Sequence, residues 1–404
     1  MINILYNTMT KYNFDEIVDR KGTNALKVDA LKERYGDANL IPLWVADMDF
    51  KVAQEITDAI VERAKHGVFG YTCPSQEYYN AIINWVNSHH SWKIKQEWIS
   101  FVPGIVKGIA FVIDAFTTNQ DKVIIQPPVY HPFRIIPTLH HRAIVNNCLK
   151  LEAGRYNMDL DGLKEVITPE CKILILCNPH NPGGRVWTKQ ELTDIAEICY
   201  DNKILVISDE IHADLTFEKQ GHKHVPFASV SEKAAQNSIT FMAPSKTFNI
   251  AGLVSSFAVI PNQELREKFF AYLEKSELSE GHIFALIGAQ VAYQKGDEWL
   301  TQAKDYIWEN ITFVDEYLKK NIPQIKTMIP EASFLVWLDC KELNLPQTEL
   351  QNLFIKDAKL ALNTGTMFGL GGEGYMRMNV GVRRQVIEQA LENLKFAVNK
   401  LLGI

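Results

Sequence analysis

The stretch that decides the fold is Ser238-Ile239-Thr240-Phe241-Met242-Ala243-Pro244-Ser245-Lys246-Thr247. Its first half is β-branched and apolar, which predicts a buried strand. Pro244 and the later pair at 251–252 break the regularity, so Lys246 is expected on a turn at the strand's end. A lysine desolvated at the mouth of a sheet has a lowered pKa and can attack a carbonyl carbon to form a Schiff base. Most lysines are solvated surface residues, so Lys246 needs partners elsewhere in the chain before a catalytic role is favoured.

The composition is that of an ordinary globular enzyme. The chain has 404 residues, of which 47% are hydrophobic and 22% charged, with a net charge of −6. Without a basic run, neither nucleic acid nor an anionic membrane is an expected partner. No apolar stretch reaches the roughly 18 residues of a membrane span, residues 1–7 show no secretory signal, and six scattered cysteines lack metal or disulfide spacing. We therefore expect a cytoplasmic protein with reduced cysteines.

Short apolar runs alternate with helical patterns through the middle of the chain. The runs are 123–125, 173–176, 204–207 and 239–242, and the helical patterns include 52–66 and the stretch after Gly104. Strands that are apolar on both faces and separated by helices predict an α/β fold with a mostly parallel sheet covered by helices. From about residue 290, long amphipathic helices surround a strand candidate at 334–338. We expect an N-terminal segment (1–50) joining a small α+β domain (290–404), and a large domain over 51–289.

Polar residues follow three of these runs. Asp209 follows 204–207, Asn181 lies in a Pro- and Gly-rich turn after 173–176, and Tyr130 follows 123–125. Each residue alone is compatible with a structural role, such as a helix cap for Asp209 or an ordinary turn for Asn181. In open α/β sheets, however, ligands bind beyond the carboxyl ends of the strands. The joint occurrence with Lys246 therefore predicts one shared site.

A pyridoxal phosphate pocket would use this set. The cofactor needs a lysine for its aldehyde, an acid beside its pyridine nitrogen, a donor near its ring hydroxyl and a flat partner for its ring. Lys246, Asp209, Asn181 and Tyr130 fill these roles in that order. The phosphate is expected at 103–106, where the backbone N–H groups of Ile105 and Val106 open a helix.

Three motifs carry a family resemblance. Asn-Pro-Gly-Gly at 181–184, Ser-Asp-Glu-Ile-His at 208–212 and Ser-Lys-Thr-Phe at 245–248 resemble, in this order, the fold-type I pyridoxal phosphate enzymes of the aspartate aminotransferase superfamily. The similarity covers nearly the whole chain and implies the aminotransferase fold. By resemblance, Arg377 grips the α-carboxylate of the substrate, a task that suits a planar guanidinium fork.

Within the superfamily, the chain looks like the cystathionine β-lyases of the MalY/PatB type. The similar segments are 43–50, 209–212 and 245–253, and the first of them implies Ala46 as a second substrate-binding residue. True aminotransferases usually carry a tyrosine at the position of His212, where it binds the ring hydroxyl, and a phosphate-binding arginine at the position of Val254. Both departures suit the lyases.

The missing arginine shifts the expected phosphate binding to Ser245, to the backbone at Ile105 and Val106, and to Tyr71. In the family, the tyrosine at the position of Tyr71 reaches the phosphate of the neighbouring subunit, which implies a homodimer.

The expected activity is pyridoxal phosphate-dependent β-cleavage of cystathionine or a related S-substituted L-cysteine to a thiol, pyruvate and ammonia, a step of amino-acid metabolism. Lys246 would act as the general base. One alternative is an aminotransferase, which would return a keto acid without ammonia, and the departures at His212 and Val254 disfavour it. The other is a non-catalytic regulatory protein on the same fold, which has no need of an intact catalytic set. The motifs do not define which thioether is cleaved.

Other polar groups receive structural interpretations. Asp47 and Asp49 are expected to be structural or to line the substrate entrance. Arg383 and Arg384 are interpreted as a solvated pair. The histidine pairs at 89–90 and 140–141 and the histidines at 222 and 224 are expected on the surface, because no acidic or cysteine partner stands at ligand spacing and no metal site is predicted.

Overall fold

The computed structural model describes residues 12–404. Residues 1–11, which belong to the expected N-terminal segment and carry the prediction about a signal, lie outside the described part. Within residues 12–404 the strands are Ile41–Pro42 (β1), Ile99–Val102 (β2), Lys122–Ile125 (β3), Ala143–Asn146 (β4), Lys150–Glu152 (β5), Arg155–Asn157 (β6), Cys171–Cys177 (β7), Leu205–Asp209 (β8), Ser238–Met242 (β9), Ser256–Val259 (β10), Lys326–Met328 (β11), Leu335–Asp339 (β12), Leu360–Ala361 (β13), Asn363–Thr364 (β14) and Tyr375–Asn379 (β15).

Helices alternate with these strands along the described chain. The α-helices are Leu26–Asp29 (α1), Leu31–Tyr35 (α2), Gln54–Lys65 (α3), Gln76–His90 (α4), Ile105–Phe116 (α5), Pro132–Leu139 (α6), Leu160–Val166 (α7), Lys189–Asp201 (α8), Glu232–Gln236 (α9), Pro244–Thr247 (α10), Gln263–Lys275 (α11), Ile283–Lys295 (α12), Asp297–Asn321 (α13), Gln347–Asn352 (α14) and Arg384–Leu402 (α15). Single turns of tighter or wider helix occupy Gln96–Trp98, Ala213–Leu215, Glu218–Gln220, Phe227–Ser229, Ala251–Leu253, Lys341–Leu343, Leu353–Asp357 and Gly365–Phe368.

The central sheet has seven strands in the order β2-β10-β9-β8-β7-β3-β4. The pairs β8–β9, β7–β8, β3–β7 and β3–β4 are parallel, and β10 runs antiparallel to both of its neighbours. Strands β8 and β9 are buried along their whole length, as expected for strands covered on both faces. The predicted runs and the predicted helix at 52–66 are present with ends shifted by one or two residues. The predicted fold class is confirmed.

This topology brings the carboxyl ends of β2, β3, β7, β8 and β9 to one edge of the sheet. Each strand is followed by a loop or helix that starts at this edge. After β9 the chain forms one helical turn, α10, where a simple turn was predicted, because Pro244 occupies its first position with a backbone angle that suits a helix start.

A second sheet, with the antiparallel order β11-β12-β15-β14, forms the smaller unit. The long helices α13 and α15 contribute apolar faces to the core beside it. The segment before residue 50 adds the short strand β1, which pairs in parallel with β13. The domain boundaries at residues 50 and 290 stay a prediction.

Polar contacts tie the two units together. Arg185, from the large unit, is buried and pairs with Glu331 at 2.9 Å, and the same carboxylate accepts from the backbone N–H of Val186 at 2.7 Å. Both oxygens of the Glu331 carboxylate therefore have hydrogen-bond partners at this junction. No helix in residues 12–404 combines the length and apolarity needed to cross a bilayer.

Candidate active site

A cavity of about 210 Å³ lies at the carboxyl edge of the central sheet. It sits where the ends of β3, β7, β8 and β9 meet the start of α5 and the segment before α3. Every predicted site residue except Tyr71 and Arg377 lines it. Its lining residues are Ala46, Gly104, Ile105, Val106, Tyr130, Cys177, Asn181, Asp209, Ile211, His212, Ala243, Ser245, Lys246, Ala251 and Val254.

Lys246 projects from α10 into this cavity. Its Nζ donates to the backbone oxygen of Ala46 at 2.5 Å. Burial lowers the pKa of Lys246 to about 8, against the opposing effect of the Asp47 carboxylate. The next residue fixes the turn, because Thr247 Oγ1 donates to the buried carboxylate of Asp214 at 2.7 Å. A lysine held in this way is partly unprotonated near neutral pH and available as a nucleophile or base.

Asp209 is the last residue of β8 and lies on the adjacent strand. It is 4% exposed, and burial raises the pKa of its carboxyl to about 7. Oδ1 accepts from the backbone N–H of Ile211 at 3.1 Å, and within residues 12–404 the carboxylate forms no ion pair. A buried acid without a cationic partner is costly as an anion, so a bound positive N–H group would stabilise it strongly.

The start of α5 forms another wall. Gly104 precedes the helix with φ = +100°, a conformation that L side chains rarely adopt. Ile105 and Val106 then occupy the first turn, whose backbone N–H groups have no acceptors within the helix. The positive end of the helix dipole therefore lies at the cavity wall and favours an anion there. Ser245 lies at the same wall, and its hydroxyl donates to the backbone oxygen of Ser255 at 3.0 Å.

Three further polar side chains, Tyr130, His212 and Asn181, complete the cavity. Burial, followed by the nearby Asp209 carboxylate, raises the pKa of Tyr130 to about 12, so the phenol is neutral. Burial lowers the pKa of His212 to about 3, so this imidazole is neutral too. Its buried Nδ1 has no hydrogen-bond partner among the described residues. The side-chain oxygen of Asn181 accepts from Arg377 Nη1 at 3.0 Å.

Arg377 lies on β15, just outside the cavity lining, and is 5% exposed. Nη2 donates to Trp44 O at 3.1 Å and to Asn363 Oδ1 at 2.6 Å, and the guanidinium stacks 4.9 Å from the ring centre of Phe368. Among residues 12–404, the buried Nε of Arg377 has no hydrogen-bond partner and no carboxylate pairs with this cation. Burial lowers the pKa of Arg377 only to about 10, so it stays charged at pH 7.

Sequence reasoning missed Asn363 and the backbone oxygen of Trp44. Asn363 stands opposite Arg377 in the register of β14 and β15. A single amide at the end of the apolar run 360–362 was the available signal, but only strand pairing connects it with Arg377.

Tyr71 is not at the cavity in the isolated chain. It is 100% exposed, in the irregular segment between α3 and α4. Asp47 and Asp49 both pair with Arg20 at 2.7 Å, and the fully buried Lys27 lies 3.1 Å from Asp49. These acids therefore hold the N-terminal segment over the site, in agreement with a structural role.

Two surface predictions were wrong in part. His90 and His224 are buried and pair with the carboxylates of Asp214, at 2.8 Å, and Glu210, at 2.7 Å. Asp214 is 124 residues from His90 and Glu210 is 14 residues from His224, so neither carboxylate stands at the short spacing that sequence inspection could identify. Arg384 is also not simply solvated, because its Nε donates to Asn310 at 2.8 Å. Among the described residues, no group of three His, Cys, Asp or Glu side chains could hold a metal ion.

Comparison with known proteins gives a consistent picture. The sequence model of the family described as aminotransferase class I and II matches residues 38–394. Cystathionine beta-lyase PatB of Bacillus subtilis is 41% identical over 96% of this chain and 100% of its own length.

Two solved structures match almost end to end. A PLP-bound protein of Clostridium difficile, provisionally named an aminotransferase, has 40% identity and a TM-score of 0.94, covering 96% of this chain and 100% of that one. The PLP-bound C-S lyase of Staphylococcus hominis has 34% identity and a TM-score of 0.89, with 96% and 98% covered.

Proposed function

This chain belongs to the aminotransferase class I and II family, and on that basis we propose that it is a pyridoxal phosphate-dependent carbon–sulfur β-lyase. Its substrate is cystathionine or a related S-substituted L-cysteine. The names of PatB and of the S. hominis lyase support this reaction class. One observation carries the proposal. Asp209, buried and without an ion-pair partner among residues 12–404, ends the strand adjacent to the one that leads to Lys246, and both side chains line one cavity.

The residues present fit pyridoxal phosphate. Lys246 would hold the aldehyde carbon, and Asp209 would accept the hydrogen bond of a protonated ring nitrogen, which supplies the positive partner that this buried acid lacks. Tyr130 would cover the ring face. His212, whose Nδ1 has no hydrogen-bond partner in the described chain, and Asn181 would bind the ring oxygen.

The phosphate would bind at the start of α5, with the N–H groups of Ile105 and Val106 and the hydroxyl of Ser245. When bound, this cofactor draws electrons away from the α-carbon of an amino acid.

The chain's own groups then handle the substrate. Arg377 binds the α-carboxylate, since its buried cation has only neutral acceptors in the described chain. The backbone oxygen of Ala46 holds the amine of Lys246 in position beside the same site. With its pKa lowered to about 8, the neutral Lys246 amine removes the proton from Cα.

The overall reaction balances without an oxidant or reductant. The Cα–H and Cβ–S bonds break, the sulfur leaves as a thiolate that takes up a proton, and one water converts the remaining three carbons into pyruvate and ammonia. The buried walls around Lys246 and Asp209 keep bulk water from competing for the proton on Lys246.

The test is incubation of the purified, cofactor-loaded protein with L-cystathionine while pyruvate and ammonia are measured separately. The proposal expects both products in equal amounts, together with one thiol for each pyruvate. Release of a keto acid only when an acceptor is supplied, with no ammonia, would instead identify an aminotransferase, as the name of the C. difficile structure suggests. If neither pyruvate nor another keto acid were formed, the non-catalytic regulatory protein would be the remaining alternative.

The working unit is a homodimer in which Tyr71 reaches the phosphate of the other subunit. Four apolar side chains are exposed, two beside Tyr71 in the chain and two in the cavity lining: Val68, Phe69, Val106 and Val254. The ring of Phe69 contacts Phe284, which shares a surface depression with Val254. Contiguous exposed apolar surface of this kind is typical of an interface, and a second copy would cover it and provide Tyr71.

We place the reaction in the cytoplasm. The six cysteines are all unpaired, and Cys73 and Cys148 are exposed. A reducing compartment suits this state. Fractionation of cells that express the protein, with lyase activity as the marker, tests the assignment.

A further inference from the structure

A second cavity, of about 470 Å³, lies between the two units of the fold. We call it the Gly-loop cleft. One wall comes from the end of β3 and from α6, and includes His131 and Arg134. The other comes from the loop 368–373 before β15, and includes Phe368, Leu370 and Glu373.

The shape of the cleft is fixed by a backbone hydrogen bond and by two glycines. The backbone N–H of Val129 donates to Phe368 O at 2.9 Å, which joins the two walls. Gly369 and Gly371 have φ of +90° and +79°, and a Cβ at Gly371 would lie 3.3 Å from Pro128. A side chain at these positions would strain the loop and crowd Pro127 and Pro128, which follow β3. The walls therefore hold a defined shape before any ligand binds.

Two opposite charges line the cleft and are not used elsewhere. Arg134 and Glu373 are both exposed, and within residues 12–404 neither forms an ion pair with the other or with any further group. His131 adds a buried Nδ1 without a partner in the described chain. A dicarboxylate would be repelled by Glu373 and a diamine by Arg134, so the ligand that fits both carries a carboxylate and an ammonium.

The cleft adjoins the α-carboxylate site. Phe368 lines the cleft and also stacks on the guanidinium of Arg377. His131 directly follows Tyr130, which lines the cofactor cavity. Burial first, then the charges of Arg377 and Arg134, lower the pKa of His131 to about 4, so this imidazole is neutral. Because Phe368 contacts Arg377 and lines the cleft, a substrate held by Arg377 has the cleft beside it.

Resting on the lyase activity proposed above, we infer that the Gly-loop cleft binds the distal amino-acid end of the substrate, with its carboxylate on Arg134 and its ammonium on Glu373. The site thereby distinguishes cystathionine, whose leaving group is itself an amino acid, from simple S-alkyl cysteines.

The test compares kcat/KM for pyruvate release by the cofactor-loaded dimer from four substrates. These are L-cystathionine, S-methyl-L-cysteine, S-(2-carboxyethyl)-L-cysteine and S-(2-aminoethyl)-L-cysteine. The variants are Arg134→Gln and Glu373→Gln, and the controls Lys189→Gln and Glu165→Gln remove exposed charges outside the cleft. All four sites are exposed, and cofactor absorbance checks the fold of each variant.

Arg134→Gln should lower kcat/KM about fivefold or more for cystathionine and the carboxyethyl substrate, the scale of one exposed charge pair of about 1 kcal/mol. Glu373→Gln should do so for cystathionine and the aminoethyl substrate. For S-methyl-L-cysteine, kcat/KM should change less than about twofold in both variants. Equal losses on all four substrates, or none, would overturn the inference while leaving the lyase activity intact. Absence of pyruvate from every substrate in the unaltered protein would instead refute the proposed function.

Discussion

Arg377 donates from Nη2 to the side-chain oxygen of Asn363 at 2.6 Å, and the two residues stand opposite each other on neighbouring antiparallel strands. Its other acceptors, the oxygens of Asn181 and Trp44, are neutral as well. These hydrogen bonds fix the orientation of the guanidinium without neutralising its charge. Its charge stays available for a substrate carboxylate.

Asn363→Asp should raise KM for the amino-acid substrate, because a carboxylate at this position would pair with Arg377 and compete with the substrate. Hydrogen bonds to charged groups contribute about 1.5–3 kcal/mol, so we expect an increase of roughly tenfold or more. The cofactor absorbance should stay unchanged. Steady-state kinetics measure the effect, and Asn344→Asp, at an exposed position, is the control. An unaltered KM would show that Asn363 does not govern the carboxylate site.

The sequence was sufficient for the sheet because its signals are local. The runs that became β7, β8 and β9 are apolar on both faces, and this pattern requires cover on both sides. The rule that ligands bind beyond the carboxyl ends then placed Lys246, Asp209 and Tyr130 together. All three line one cavity.

The parts that were missed depend on pairing between distant segments. Asn363 meets Arg377 only through the register of two short strands. His90 is buried because Asp214, far away in the chain, accepts its ring N–H and also holds Thr247. A histidine's partner cannot be found from spacing when it comes from another element, so a surface position was the natural and incorrect expectation.

Lys246 should react with the cofactor aldehyde at a lower pH than an ordinary lysine. The unprotonated amine is the nucleophile, so the rate of cofactor uptake by cofactor-free protein should rise with pH and level off above about 8, the lowered pKa of this residue. A solvated lysine would keep gaining rate up to about 10. Stopped-flow absorbance measures the profile.

Borohydride treatment followed by peptide mapping should find the cofactor on Lys246. Lys246→Ala should lose both the covalent cofactor and nearly all turnover, and Lys189→Ala should lose neither. A plateau near pH 10, or a label on another lysine, would contradict the assignment.

Asp209→Asn should weaken cofactor binding and slow turnover. The amide removes the negative partner of the ring nitrogen, and the loss of a charge-assisted hydrogen bond of about 1.5–3 kcal/mol should raise Kd roughly 10- to 100-fold. The raised pKa of this buried acid, about 7, also predicts that affinity falls as the pH drops below 7, where the carboxyl is protonated. Absorbance titration measures Kd. Asp161→Asn, at an exposed position, should change nothing, and equal affinities for Asp209→Asn and the unaltered protein would reject the role.

Tyr71 can be tested by mixing subunits. Tyr71→Ala and Lys246→Ala should each be nearly inactive as homodimers. In a mixed dimer, one site combines an intact Lys246 with the intact Tyr71 of the other chain. In co-refolded or co-expressed mixtures, each mixed dimer should therefore have up to about half of the activity of an unaltered dimer. If Tyr71 acts within its own chain, the same mixtures would stay inactive, because each chain would carry one defective half of its own site.

Arg377→Lys separates substrate binding from cofactor chemistry. The planar fork donates in three directions, to Asn181, Trp44 and Asn363, and still leaves its Nε without a partner in the described chain. A lysine ammonium keeps the charge but cannot reproduce this geometry. The cofactor absorbance should stay unchanged, while kcat/KM decreases. The decrease should correspond to a loss of roughly 2–5 kcal/mol of transition-state stabilisation, as expected when one partner of a buried charge pair is misplaced.

Arg383→Lys is the matched control for this change. Arg383 precedes α15, and its side chain donates only to the nearby Gln385 within the described residues. Its replacement should alter kcat/KM by less than about twofold. Arg384 is less suitable, because its contact with the buried Asn310 ties it to the core. Should Arg383→Lys impair turnover while Arg377→Lys does not, the carboxylate site would have to move to the start of α15, and the roles of Lys246 and Asp209 would be unaffected.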